Sequence, residues 1–158
     1  MNKGQIMLST LVLLCLTACG QKPATVITEI NFSDPKLPDS IAEISGFSDG
    51  EPWGRWSDAN ISSTAKIRFK QSLPTHFSII ITGQTIAGNE YSVIKIGNFQ
   101  DQVYLPSLKE EAIVDVTLDK PEDTIELIPP KPATPKSLGL NDDARKLGIG
   151  LATLRIEK

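Results

Sequence analysis

The sequence predicts an all-β protein, an antiparallel β-sandwich of jelly-roll or galactose-binding-like type. Three observations carry that expectation. Short runs alternate apolar and polar residues, and Gly, Pro, Asn and Asp break them at regular intervals. No stretch beyond residue 18 repeats its apolar positions every 3.6 residues, which disfavours helices and parallel βαβ units. "TVITEINF" places Val26, Thr28, Ile30 and Phe32 on one side. "TAKIRFK" turns Ala65, Ile67 and Phe69 inward and Lys66, Arg68 and Lys70 outward. "HFSIIITGQTIA" is apolar on both faces around Ile79–Ile81, as expected of a central, covered strand. "YSVIKIGNF" and "DQVYLP" follow. "AIVDVTLD" points Ala112, Val114, Val116 and Leu118 inward, "TIELIP" is short, and "LGIGLATLRIEK" closes the chain.

The punctuation between strands adds topology. Ala87–Glu90, "AGNE", is a hairpin signal, because Gly and Asn tolerate the positive φ of tight turns. Pro129–Pro135, "PPKPATP", lacks ladder donors at its prolines and reads as an extended surface connection. Asn141 is placed to cap one helical turn, with Asp142 and Asp143 near its positive end. The last strand starts at about Leu147. Its apolar positions change parity between Leu151 and Leu154, which predicts a β-bulge near Ala152.

The amino terminus reads as a targeting segment. Lys3 precedes an apolar run from Ile6 to Leu16, shorter than the roughly 20 residues of a membrane-spanning helix. It fits the core of a secretory signal peptide. Leu16-Thr17-Ala18-Cys19 resembles the lipobox of bacterial lipoproteins. That resemblance implies cleavage before Cys19, a diacylglycerol on its sulfur and a further acyl chain such as palmitate on its amine. More than one chain is what stable anchoring requires. Gly20, in place of an aspartate, leans the sorting towards the outer membrane, facing the periplasm. The expected organisation is a lipoprotein signal peptide over residues 1–18, lipidated Cys19 and a tether over 19–25, and a single β-sandwich domain over 26–158.

Composition removes whole classes of function. Cys15 leaves with the signal peptide and Cys19 becomes the anchor, so no thiol remains for disulfides, thiolate metal sites or nucleophilic catalysis. His76 is the single histidine, so histidine clusters are excluded and a Ser-His-Asp triad would have to use it. Loss of residues 1–18 removes Lys3 alone and moves the net charge from −3 to −4. Nothing basic is concentrated, which argues against nucleic acid as a partner. Glu51, Asp58, Asp142 and Asp143 are the carboxylates from which a glycosidase pair would be drawn. Asp142 and Asp143 are adjacent and point apart in a helical turn, where capping accounts for them. "LNDDAR" is too short for an EF-hand and lacks its glycine and distal glutamate. No cofactor is expected, a structural calcium on Asp and Asn oxygens being the one addition such a sandwich admits.

One stretch concentrates recognition chemistry. "EPWGRWSDA", Glu51–Ala59, holds both tryptophans and one of four arginines. In extended chain Trp53, Arg55 and Ser57 share one face, and Gly54, Trp56 and Asp58 the other. The indoles then point to opposite sides unless Gly54 makes a bulge, with one in the core and one at an edge. An exposed indole beside Arg, Glu and Asp suits a sugar. The apolar face of a pyranose stacks on the ring and its hydroxyls bond to the charged groups. The same residues also satisfy a sealed packing corner, with Glu51 or Asp58 pairing Arg55 or Arg145.

Two motifs carry a family resemblance. They are Glu-x-Trp-Gly-x-Trp-Ser (Glu51, Trp53, Gly54, Trp56, Ser57) and Asp-x-Arg-x-Leu-Gly (Asp143, Arg145, Leu147, Gly148), with Leu73-Pro74 and Gly88-Asn89 between them. From about Ser45 onward the chain resembles the accessory β-rich domain appended to phosphoglycerol transferases acting on osmoregulated periplasmic glucans. This sequence carries no transferase-like catalytic domain, so the resemblance implies only an accessory role, non-catalytic and near envelope glycans. It also implies that the two motifs meet at one end of the sandwich, with Arg145 reaching Glu51 or Asp58. The candidate ligand-binding set is Glu51, Trp53, Arg55, Trp56, Asp58, Asn89, Asp143 and Arg145. The expected function is a lipid-anchored periplasmic module that binds an envelope glycan. The alternative is a structural lipoprotein docked on an envelope enzyme without binding sugar.

Overall fold

The computed structural model describes residues 26–158. The signal peptide, Cys19 and the tether lie outside the described residues. Ten strands form in chain order: β1 (Val26–Asn31), β2 (Ile41–Ser45), β3 (Arg55–Asp58), β4 (Ala65–Phe69), β5 (His76–Thr85), β6 (Tyr91–Ile96), β7 (Phe99–Tyr104), β8 (Glu110–Thr117), β9 (Thr124–Ile128) and β10 (Leu147–Glu157). The described helical structure is one 3-10 turn, Lys136–Leu138. All strand pairs are antiparallel. One sheet runs β1-β10-β5-β8, with β3 also paired to β10. The other runs β2-β4-β9-β6-β7. The chain is thus an all-β, antiparallel two-sheet sandwich.

Period-two alternation builds the core. Ile30 and Phe32, Ile79 and Ile81, and Leu154 and Ile156 project from the first sheet. Ile67 and Phe69, Ile94 and Ile96, and Ile125 and Leu127 meet them from the second. Each such side chain contributes about 1.5–3 kcal/mol when fully buried. The inward faces expected for "TAKIRFK" and "AIVDVTLD" agree with the buried positions, although Ala112 is only partly covered. β5 is covered on both sides at Ile79–Ile81, with Ile80 buried outside the main core cluster.

The bulge near Ala152 is present. Leu151 faces Gly83 and Thr153 faces Thr82, so Ala152 is the unpaired extra residue. Its carbonyl accepts the Phe32 N–H at 2.9 Å. The extra residue keeps Ile149 and Leu151 on the core side, and then Leu154 and Ile156 as well, while Leu147 is buried outside that cluster.

Three local expectations change. Ala87–Glu90 makes a turn, closed by the Asn89 N–H on the Ile86 carbonyl, but it is no hairpin. It carries the chain from β5 in one sheet to β6 in the other. The hairpin lies within "YSVIKIGNF", where Gly97-Asn98 folds β7 back onto β6. Asn141 caps no helix. Its Oδ1 accepts the Asp143 N–H at 2.8 Å, and Asp143 Oδ1 accepts the Arg145 N–H at 2.9 Å, two successive Asx turns that compete with helix.

Candidate functional site

The two motifs meet along the β3–β10 pair. Glu51 and Gly54 exchange backbone hydrogen bonds of 2.8 and 3.1 Å around Pro52-Trp53, a two-residue reversal. Gly54 has φ 154°, and a side chain there would run into the Leu151 carbonyl. The reversal brings both indoles to one place. Trp53 and Trp56 meet edge-on, centroids 5.2 Å apart and planes at 72°. Their floor is Gly150, which offers no side chain to hold them off. The expectation of indoles on opposite sides is therefore corrected: it holds for extended chain, and the chain reverses here. Both rings are half-buried.

Glu51 ties the tryptophan to the arginine. Trp53 Nε1 donates to Glu51 Oε2 at 2.8 Å, and Arg145 Nη2 donates to Glu51 Oε1 at 2.9 Å. Arg145 Nε donates to Asp143 Oδ2 at 3.0 Å, Nη2 to the same oxygen at 2.6 Å, and Nη1 to Ser48 Oγ at 3.2 Å. The planar fork is thereby fixed between two carboxylates. Hydrogen bonds from the Arg145 side chain, then from its backbone N–H, hold the Asp143 carboxyl below the usual carboxylate range. Asp143 in turn raises Arg145 further above its ordinary value, with Glu51 adding to the effect. The guanidinium side chain keeps 36% of its surface exposed. The corner thus shows solvent a fixed cation, two carboxylate edges and two indoles, a set able to bond hydroxyls and stack on an apolar ring face.

The remaining motif residues are structural. Ser57 Oγ accepts the Ile149 N–H at 3.0 Å, Leu147 is 2% exposed, and Gly148 lies under Pro129. Arg55 stands apart from the Arg145 network; its Nε donates to the Phe32 carbonyl at 3.2 Å and its guanidinium lies over Gly50. Two further candidate residues leave the site. Asp58 is buried, its Oδ1 accepting the N–H groups of Asn60 at 2.9 Å and Lys146 at 3.1 Å. Asn89 is fully buried; its amide donates to the carbonyls of Ile86 and Lys131, and its Oδ1 accepts the Lys131 N–H. Asn89 has no free polar edge for a ligand, and Asp58 is only 5% exposed with its Oδ1 taken by the two backbone N–H groups. Ser48 and Gly150 belong to the corner and were missed, since neither residue type signals recognition by itself. His76 is exposed at the start of β5, 3.1 Å from the Thr75 hydroxyl. Among the described residues no group of three or more His, Cys, Asp or Glu side chains converges as metal ligands.

The fold places the chain with the antiparallel β-sandwiches. It superposes on a family 29 carbohydrate-binding module with a TM-score of 0.58 at 13% identity, over 86% of this chain and 90% of that one. A CBM29-2 mutant complexed with mannohexaose gives 0.57 at 15% identity, over 86% and 93%. At such identity the likeness is one of fold. By sequence the chain belongs to the family described as "Domain of unknown function (DUF7024)", which it matches over residues 21–158. It is 32% identical over 130 residues to phosphoglycerol transferase I of Escherichia coli O139:H28 (strain E24377A / ETEC), and equally to that of Shigella boydii serotype 18 (strain CDC 3083-94 / BS512). The match covers 79% of this chain and 17% of each transferase.

Proposed function

We propose that this chain is a non-catalytic glycan-binding module of the bacterial envelope, held to a membrane through lipidated Cys19 and facing the periplasm. The observation that carries the reading is the Arg145 fork, fixed between Glu51 and Asp143 yet one-third exposed, beside two half-exposed indoles. A preformed cation and aromatic pair binds hydroxylated rings without first paying an ordering cost. Support comes from the matched segment in transferases and from the sandwich shared with carbohydrate-binding modules. The ligand class proposed is a periplasmic glucan or related saccharide.

The test titrates the full chain, held in a sugar-free detergent, with periplasmic glucan while following tryptophan fluorescence. Saturable quenching is expected, with Arg145→Gln weakening it about tenfold, about 1.4 kcal/mol. No saturable response to glucan, peptidoglycan fragments or lipopolysaccharide sugars overturns the reading. The anchor is tested separately: Cys19→Ser should abolish radiolabelled palmitate incorporation and release the protein from membranes.

The internal pairing of Trp53, Glu51, Arg145 and Asp143 favours a second reading, a packed corner in a lipoprotein docked on an envelope enzyme. A stoichiometric protein partner in a pull-down, with no glucan binding, would select it.

A further inference from the structure

The outer face of the second sheet carries side chains that the tryptophan corner does not use. On the β6–β7 hairpin Tyr91 stands opposite Tyr104, Val93 opposite Gln102, and Lys95 opposite Gln100. Ser92, Ile94, Ile96 and Val103 are buried, so alternation turns these six outward. The tyrosines are the chain's only two, and they lie 59% and 51% exposed with ring centroids 5.0 Å apart, tilted by 49°.

We propose that this hairpin face is a second carbohydrate-contacting surface, where a neutral hexose oligosaccharide stacks on Tyr91 and Tyr104 and bonds through its hydroxyls to Gln102, Gln100 and Lys95. The proposal rests on the glycan-binding reading above and adds to it a surface on the other sheet. The rings supply an aromatic face matched to pyranose C–H groups, with phenol hydroxyls at its edge. Each glutamine offers both amide donors and carbonyl acceptors, the mixture a sugar hydroxyl needs. The surroundings favour sugar over protein. A protein anchor sits in an apolar surface depleted of charge. Here the row Gln100–Lys95–Glu126–Lys66–Ser45 crosses all five strands and is polar throughout, with Lys66 bonded to Glu126 at 2.7 Å. Lys66 and Glu126 cancel, so the row's net charge is the single positive charge of Lys95, which serves the proposed site as a hydroxyl-binding donor.

The chain's two chromophore types separate the sites. Both tryptophans lie at the β3–β10 corner and both tyrosines on this hairpin. The full chain in sugar-free detergent is titrated with unsubstituted glucan oligosaccharide, and tyrosine difference absorbance is read beside tryptophan fluorescence. A saturable tyrosine signal is expected, with Tyr91→Ala and Tyr104→Ala each weakening binding about tenfold and Tyr91→Phe retaining it. Unchanged near-ultraviolet tryptophan dichroism in the alanine variants shows that the corner still folds. A tryptophan response lost in Arg145→Gln, with no tyrosine signal, overturns the hairpin surface and leaves the proposed function standing. No binding at either chromophore overturns both. Concentration-dependent dimerisation lost in Tyr104→Ala, without glucan binding, overturns the proposal in favour of a chain–chain contact.

Discussion

A methyl group built on Gly150 would lie 2.6 Å from Cη2 of Trp53 and 2.8 Å from Cε3 of Trp56. Both contacts are with ring edges that cannot bend away. Gly150→Ala should therefore destabilise the protein by about 1–3 kcal/mol, as overpacking does, and alter near-ultraviolet tryptophan dichroism. An unchanged urea midpoint and spectrum would show that the indoles are not held on that floor. Asp143 gives the corner a pH dependence. Its pKa is lowered in the folded chain, chiefly by the Arg145 side-chain hydrogen bond. The unfolded chain binds that proton more readily, so the stabilisation is complete above the ordinary value of 3.8 and fades as pH falls through the lowered folded value. The stability gap between wild type and Asp143→Asn should be constant from neutral pH to about pH 5 and close in stronger acid. A gap that widens with acid would contradict the pairing. These residues were legible in the sequence as types, Trp, Arg and acid in two motifs. Their partners were not, because Asp58 carries the same charge as Glu51 and only its burial under the Asn60 and Lys146 N–H groups removes it.

At the scale of elements, β10 is the strand on which the fold turns. It pairs with β5 along its length, with β3 at its start and with β1 at its end. Ala152 lets it serve both halves, because one unpaired residue resets which side faces the core. Were Ala152 paired regularly, unbroken alternation would turn Thr153, Arg155 and Glu157 inward in place of Leu154 and Ile156. Deleting it leaves one residue between Leu151 and Leu154 and keeps Leu154 and Ile156 inward without a bulge. The deletion variant should therefore still melt cooperatively, at a lower temperature for want of the Ala152 carbonyl that accepts the Phe32 N–H. Loss of the cooperative transition would show that the extra residue does more than set the register. The change of parity along β10 made this feature legible in the sequence. The β6–β7 hairpin was legible in the same way and was missed. Tyr91 and Tyr104 lie six residues to either side of Gly97-Asn98, which makes them cross-strand partners once that pair is read as the turn. The competing Gly88-Asn89 signal is equally strong locally, and only the burial of Asn89 between Ile86 and Lys131 makes it a crossing between sheets.

At the scale of the molecule, one core joins both sheets, and the intrinsic probes report on different ones. Tryptophan follows the β3–β10 corner of the first sheet, and tyrosine follows the β6–β7 hairpin of the second. Residues of both sheets share a single buried cluster. Urea unfolding followed by tryptophan fluorescence, tyrosine absorbance and far-ultraviolet dichroism should therefore give coincident transitions. Separated midpoints would mean that one sheet persists without the other. The sequence by itself determined the class of fold and most inward faces, since side-chain alternation is a local property of strands and needs no knowledge of what they pack against. It also brought the two motifs into view as a pair. Only the tertiary structure decided which strands share a sheet, that both indoles lie over Gly150, and that the tyrosines stand side by side in solvent. Those outcomes depend on contacts between distant segments, where one turn or one extra residue selects among pairings that are locally equivalent.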